Sequence, residues 1–291
     1  MEESLINKYD YPVLREQFRT AGVICLQRAI VPEWLQMARE AYDWSMAHPS
    51  SSASSFPGTA VAPGMFFQDL ANPQAFLAYK QLLEDSPIAD IIAALWDAPD
   101  VWFMYEQVFL KDGGESRRTP WHQDSSYLPI DGEQLAVMWI SFDAVAKEDS
   151  LEFITGSHRG VLYNGSRFDP GDDTAPLYAE GSLPRLPNLE AERERWDIAS
   201  WAVEPGDVVI FHPALLHGGA PTHVGGRRRT LSLRFFGYDA VYAPRPVGGL
   251  AARRAPSSSD DRSASVFTRL HKTLSAGDPF RHPEFPQIRP R

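Results

Sequence analysis

From Asp100 to Tyr238 the chain is a succession of short β-rich runs: VWFMYEQVFLK, QLAVMWISFDAV, SLEFITG, WAVEPGDVVIFHP and RTLSLRFFGY, separated by glycine, proline and aspartate. Runs of β-branched and aromatic residues bounded by turn formers read as strands. Several in succession behind a helical opening predict a sandwich or barrel that carries N-terminal helices. Upstream, GVICLQRAI (22–30) reads as a short apolar strand. VPEWLQMAREAYDWSM (31–46) places Leu35, Ala38, Tyr42 and Met46 close to a 3.6-residue period, with Pro32 in the first turn, and predicts an amphipathic helix. A second helix is expected over QAFLAYKQLLEDSPIADIIAALWD, broken near Ser86-Pro87 because proline restricts the residue before it.

The intervening HPSSSASSFPGTAVAPG (48–64) reads as loop. Residues 160–200 form a polar insertion with few strand signals, the length at which loops become functional lids or disordered segments. The tail after Pro244, with APSSSDDRSAS, reads as irregular surface chain. No linker divides the sequence, so a single domain over 1–291 is expected. It comprises a helical part at about 1–99, a β core at about 100–240 and a tail at 241–291.

Composition narrows the function classes. One cysteine, Cys25, excludes an intrachain disulfide framework and Cys-based zinc or iron–sulfur sites. A net charge of −10 argues against a general nucleic-acid binder. The charge is uneven: from Arg227 onward there are 13 Lys and Arg against 5 Asp and Glu, while the first 226 residues hold 15 against 33. A basic C-terminal segment suits an anionic small ligand, or simply pairs with the acidic remainder. No apolar run is long enough to span a bilayer, and MEESLINKYDY lacks a secretory signal pattern. A cytoplasmic enzyme, monomeric or homodimeric, with no nucleic-acid or membrane partner is expected.

The chemistry-bearing motif is TPWHQDSSYL, residues 119–128. In an extended segment residues i and i+2 share a side, so His122 and Asp124 would point together. A metal needs a third protein ligand, and WAVEPGDVVIFHPALLHGGAP supplies His212 and His217. His212 abuts Pro213 directly after an apolar strand and reads as a packing residue. His217 is followed by two glycines that allow close approach. Two imidazoles and a carboxylate on one face of a metal make the facial triad of non-haem Fe(II) oxygenases, which leaves coordination positions open. Eleven residues after His217, Arg228 opens an alternating strand on which Arg228, Thr230 and Ser232 share one face. Its planar guanidinium suits the distal carboxylate of a dicarboxylate co-substrate.

WHQD, EDSLEFITGSHRG, PGDVVIFHPALLHGGAP and RRRTLSLR, in that order, resemble the phytanoyl-CoA dioxygenase family. The resemblance runs from about Gln107 to Phe236, with weaker similarity in the N-terminal strand and helix. It implies a mainly β double-stranded β-helix, a jelly roll with N-terminal α-helices packed on one sheet. It further implies Fe(II) held by His122, Asp124 and His217, with 2-oxoglutarate and dioxygen as co-substrates. Arg228 falls on the arginine that anchors 2-oxoglutarate, and Trp139 on a tryptophan near it; Gln107 and Thr230 join them as co-substrate neighbours. The family's usual Glu-Asn-Gly is Glu148-Asp149-Ser150 here, and Gly219 stands where a hydroxyl residue is common. The arginine lies in a run of three, so its position is open to a shift of one; alternation turns Arg227 and Arg229 the other way. Asp124 disfavours halogenation, since halogenating relatives replace the carboxylate.

The implied reaction is hydroxylation of an unactivated carbon, releasing succinate and carbon dioxide. Its substrate is expected to be a small, largely apolar molecule, neutral or anionic, such as a secondary metabolite or a carboxylic acid. An acyl-CoA, or a non-catalytic metal-binding role, stands as the alternative. Met65, Phe66 and Phe67 are candidates for a pocket entrance. His158 is a candidate for substrate contact or for holding a turn.

Overall fold

The computed structural model describes residues 8–57, 64–113, 118–169, 171–220, 226–246 and 266–290. Two antiparallel sheets face each other. The larger runs β1 (Val23–Leu26), β10 (Val208–Phe211), β7 (Leu135–Ser141), β12 (Arg227–Phe236), β4 (Val101–Asp112), β3 (Met65–Leu70) and β2 (Ser54–Pro57), with β14 (Gln287–Arg289) also paired to β4. The smaller runs β5 (Thr119–His122), β11 (His217–Gly219), β8 (Leu151–Ile154) and β9 (Ile198–Ala199). A short pair, β6 (Ile130–Asp131) with β13 (Val241–Tyr242), stands apart. This is the jelly roll that the family resemblance implies, one form of the sandwich or barrel that the β-rich runs predict.

Alternation on the large sheet decides everything that follows. Val108, Met138, Ile140, Val208, Ile210, Leu231, Leu233 and Phe235 turn outward and are buried against helices. Those helices are α1 (Tyr11–Ala21), α2 (Pro32–Ala47), α3 (Phe76–Asp85) and α4 (Ile88–Trp96). The break at Ser86-Pro87 falls where expected, between α3 and α4. In α4 the side chains of Ile88, Ile91, Ile92 and Leu95 are almost wholly buried, each contributing about 1.5–3 kcal/mol of transfer free energy. The opposite phase, Val137, Trp139, Val209 and Phe211, meets Phe153 of β8 inside the roll.

Three segments differ from the sequence reading. Helix α1 lies in a stretch whose polar composition hid it; Asp10 caps it by accepting from the Val13 amide. Part of the Ser-rich loop is a hairpin, with Ser54 to Pro57 paired to Gln68 to Met65; residues 58–63 lie outside the described residues. The tail is not merely surface chain: Leu270, Phe280, Phe285 and Ile288 are buried, because four large apolar side chains gain more from the core than from solvent. The APSSSDDRSAS segment lies outside the described residues.

Glu106 faces the helix side of β4, where its Oε1 accepts from the Asn72 amide 2.9 Å away. Burial pushes its carboxyl up to about 7, with the Asn72 hydrogen bond opposing. A raised folded-state pKa in an acid means the folded chain holds a proton the unfolded chain releases, so stability is lost as pH rises towards 7. Glu106→Gln should therefore raise the melting temperature more at about pH 8 than at about pH 5, measured by calorimetry.

Candidate metal centre

Strand pairing builds the site. β11 lies antiparallel between β5 and β8, and His217 is the register partner of both His122 and Phe153. Two histidines far apart in sequence thereby become cross-strand neighbours, with ring centroids 4.2 Å apart. The backbone stays extended through Gln123 before turning into one 3-10 turn at Asp124–Ser126. Asp124 consequently points to the same side as His122. Its Oδ1 lies 3.6 Å from His122 Nε2 and 4.0 Å from His217 Nε2. Among the described residues these three form the only group of His, Cys, Asp and Glu placed to share a metal ion.

The protonation pattern fits a metal. His122 Nδ1 donates to Pro120 O at 2.8 Å and His217 Nδ1 to Leu215 O at 2.9 Å. Both Nε2 lone pairs are thus left for a ligand at Asp124, the outer-sphere arrangement that fixes metal-binding imidazoles. Burial, and then His122, push His217 down to about 3, so it is a neutral ligand at any ordinary pH. Burial alone would raise the Asp124 carboxyl, yet Arg234 and the two histidines hold it well below the usual carboxylate range. Aromatic rings close the surroundings: Phe153 and Phe211 against His217, and Tyr127 and Phe168 against His122.

Gln123, between the two ligands, turns away and staples the site. Its Nε2 donates to Val161 O and Ala214 O, and its Oε1 accepts from the Tyr163 amide. His212 donates from Nε2 to Gly132 O and accepts at Nδ1 from the Ala214 amide, which leaves no lone pair for a metal.

The inward phase of β12 and β4 carries the polar lining. Arg228, Thr230, Ser232 and Arg234 stand opposite Lys111, Phe109, Gln107 and Tyr105. Arg228 is buried and donates to Asp149 O, in the loop where Asp149-Ser150 departs from the family pattern. Burial pushes its guanidinium down to about 10, partly offset by Asp149. Arg229 takes the other face and pairs with Asp143 at 2.6 Å, and Arg227 is exposed. Trp139 is inward and opposite Ser232, Thr230 is opposite Ser141, and Gln107 Oε1 accepts from Arg234 at 2.7 Å.

The aromatic entrance triplet separates. Phe66 shares the inward face, opposite Lys111. Phe67 packs into the helix-side core and Met65 is exposed, because neighbours on a strand alternate in direction. His158 sits away from the triad: its Nε2 donates to Arg19 O and its ring packs on His212. It holds the α1–β1 turn at Gly22, where a Cβ would come within 2.4 Å of that ring.

Sequence reading missed Lys111, Arg234 and Phe168. The first two are in phase with Gln107 and Arg228, so alternation alone could have found them. Phe168 comes from the insertion, where no periodicity exists to follow. The insertion is held rather than loose. Trp121 Nε1 donates to Glu190 Oε1 at 2.5 Å, and Arg118 and Arg193 join Glu152 to Glu190. Ser126, Tyr127 and Tyr178 complete the seam through Tyr163 O, Ser166 O and Ser126 O.

A model of the family described as Phytanoyl-CoA dioxygenase (PhyH) matches residues 18–230. The chain belongs to the phytanoyl-CoA dioxygenase family. The human peroxisomal phytanoyl-CoA dioxygenase is 26% identical over 176 residues, 58% of this chain and 50% of that protein. A probable alpha-ketoglutarate-dependent hypophosphite dioxygenase of Stutzerimonas stutzeri is 26% identical over 121 residues, 41% of this chain and 40% of that one. The chain spans about half the length of the curated relatives it matches. Crystal structures share the fold over nearly the whole chain. The alpha ketoglutarate dependent carbocyclase SnoK of nogalamycin biosynthesis has TM-score 0.67 at 17% identity, covering 98% of each chain. The epimerase SnoN has TM-score 0.66 at 18% identity, covering 96% of this chain and 98% of its own.

Trp121→Phe keeps an aromatic ring in the packing but removes the donor to Glu190. It should cost about 1 kcal/mol and speed proteolytic cleavage within 180–195, read by limited digestion and mass spectrometry.

Proposed function

We propose that the protein is an Fe(II)- and 2-oxoglutarate-dependent oxygenase that hydroxylates an unactivated carbon of a small, largely apolar molecule. The observation that carries this reading is the pairing, on the inner strands of one β roll, of two different sites. One is a His-Asp-His cluster with both Nε2 atoms free, and the other is a buried pair of cations on facing strands. Arg228 and Lys111 are direct cross-strand partners, and Lys111 Nζ has no hydrogen-bond partner among the described residues. Like charges directly opposite are destabilising, so an anion between them is what the arrangement suits. Burial, then Arg228 and Arg118, push the Lys111 ammonium down to about 7.

In this reading His122, Asp124 and His217 hold the metal through Nε2, Oδ1 and Nε2. Arg228 and Lys111 hold the distal carboxylate of 2-oxoglutarate, with Thr230, Gln107 and Trp139 lining its course. Iron and co-substrate, when bound, supply the oxidising chemistry, in which dioxygen is consumed and succinate and carbon dioxide leave. The aromatic surround of Tyr127, Phe153, Phe168 and Phe211 keeps water from the reacting carbon. Phe168, against the His122 ring, is the residue of this set best placed to touch substrate, while Phe66, opposite Lys111, lies at the co-substrate end. The names of the curated relatives favour an acyl-CoA as second reading; a secondary metabolite or carboxylic acid fits the aromatic lining better. No helix among the described residues is long and apolar enough to cross a membrane.

The first test is calorimetric titration of 2-oxoglutarate with and without Fe(II) under anaerobic conditions. Binding should require iron and be lost in His122→Ala. Arg228→Ala should weaken it by about 10- to 100-fold, the worth of charge-assisted hydrogen bonds, whereas Arg227→Ala should leave it unchanged. Iron-independent binding, or equal effects of the two arginine variants, would overturn the assignment.

Lys111→Met separates function from stability. It should weaken 2-oxoglutarate binding about tenfold while raising the melting temperature of the metal-free protein. The sign follows from a lysine whose folded pKa lies below its unfolded value. The penalty of burying the charge is complete below about pH 7 and is relieved as pH rises towards 10. The stabilisation by Lys111→Met should therefore shrink between about pH 7 and pH 9 in thermal melts.

A further inference from the structure

Outside the roll, a cleft of about 610 Å³ opens where the β1–α2 turn meets the loop that leads into β10. Its lining carries three cations, Lys8, Arg28 and Arg39, and no carboxylate. The surrounding sequence has the opposite balance, since the first 226 residues hold 33 Asp and Glu against 15 Lys and Arg. The rest of the wall is mostly apolar, with Ile30, Leu35 and Pro205. An apolar wall with a few charged groups, at this size, is the form a small-ligand site takes.

The three charges are not met from within the protein. Arg28 stands in the left-handed region at φ 55°, which costs free energy for a residue with a side chain. The turn is clamped there from two sides. Asp207 Oδ1 accepts from the Arg28 amide at 2.7 Å, and Lys8 Nζ donates to Gln27 O at 2.9 Å and Arg28 O at 3.1 Å. The other Asp207 oxygen accepts from the Glu204 amide at 2.9 Å. The Arg28 guanidinium itself has no hydrogen-bond or ion-pair partner among the described residues. Arg39 donates only to a carbonyl, Phe142 O, at 3.3 Å, and lies over the Phe142 ring at 5.5 Å. Burial, and then the neighbouring Arg28, hold the Lys8 ammonium below its usual range, with Asp207 opposing. Like charges gathered beside an apolar wall repel, and one dianion would relieve all three. We propose that this cleft binds a small organic phosphate, whose oxygens are taken by Lys8, Arg28 and Arg39 while its apolar body lies on Ile30, Leu35 and Pro205. A phosphate monoester carries close to two charges at neutral pH and presents several strong acceptor oxygens, so it matches three cations better than a single carboxylate does. None of the metal-centre residues, nor Arg228 or Lys111, lines the cleft, so the proposal stands apart from the oxygenase reading.

The test is calorimetric titration of the full chain at low salt with hexyl phosphate, inorganic phosphate and 1-hexanol, with methyl NMR of Ile30 and Leu35 to locate binding. Hexyl phosphate should bind about tenfold or more tightly than inorganic phosphate, because buried methylenes add affinity, and 1-hexanol should not bind measurably. Arg28→Asn, which tolerates the left-handed turn, should weaken hexyl phosphate about tenfold, and Arg28→Glu should abolish its binding. Arg39→Gln, checked by its melting curve, should weaken it to a similar degree, whereas Arg228→Ala should leave it unchanged. Absence of hexyl phosphate binding overturns the proposal, as does binding that survives in Arg28→Glu or shifts neither methyl signal. Loss of binding in Arg228→Ala overturns it too, by placing the phosphate at the inner cation pair. Pelleting with vesicles of phosphatidylcholine and phosphatidic acid that hexyl phosphate fails to reverse would assign the cleft to a membrane surface instead.

Discussion

The antiparallel pairing of β5 with β11 is the constraint on which the site depends. It sets His122 directly opposite His217, and no other contact could bring two imidazoles so far apart in sequence to a ring separation of 4.2 Å with both Nε2 atoms turned to Asp124. The pairing in turn needs β8 on the other side of β11, because a three-residue strand standing alone would not hold. Glycines at 218 and 219 make that fit possible. A Cβ at Gly218 would lie 3.0 Å from Thr119 O, too close for the two strands to keep their spacing.

Strand β12 fixes the polar lining of the roll as β5 and β11 fix the two histidines. Its outward residues, Leu231, Leu233 and Phe235, are wholly buried beneath the helices, so the strand cannot shift or rotate without emptying the core. Its inward residues are then fixed in spacing. The cations Arg228 and Arg234 towards its two ends are therefore spaced by backbone geometry.

Much of this was legible in the sequence because alternation and turn chemistry are local. The β runs, the Ser86-Pro87 break and the face shared by Arg228, Thr230 and Ser232 all follow from neighbours in the chain. The same rule, carried two residues further, reaches Arg234, and applied to β4 it reaches Lys111; applied to β3 it separates Phe66 from Met65 and Phe67. What alternation could not supply was anything set by long-range contact. Helix α1, by contrast, carries local signals in its Asp10 cap and first-turn proline, whereas Phe168 arrives on an irregular segment and His158 is fixed by a turn that forms only when α1 meets β1. The buried tail belongs to the same class, since its aromatics find their partners on Trp102 and Phe236 across the sheet edge.

Gln123 ties two parts of the molecule that might have varied independently. Its amide spends all its bonds on Val161, Tyr163 and Ala214, so the spacing of the two ligands flanking it is shared with the first residues of the insertion. Beyond Tyr178 the insertion is anchored a second time, where Leu186 and Leu189 pack on Trp121, Ile154 and Leu216 beneath the seam of charged pairs. Substitutions between those two anchors would change the ring set beside His122, where Phe168 lies, and leave both anchors in place.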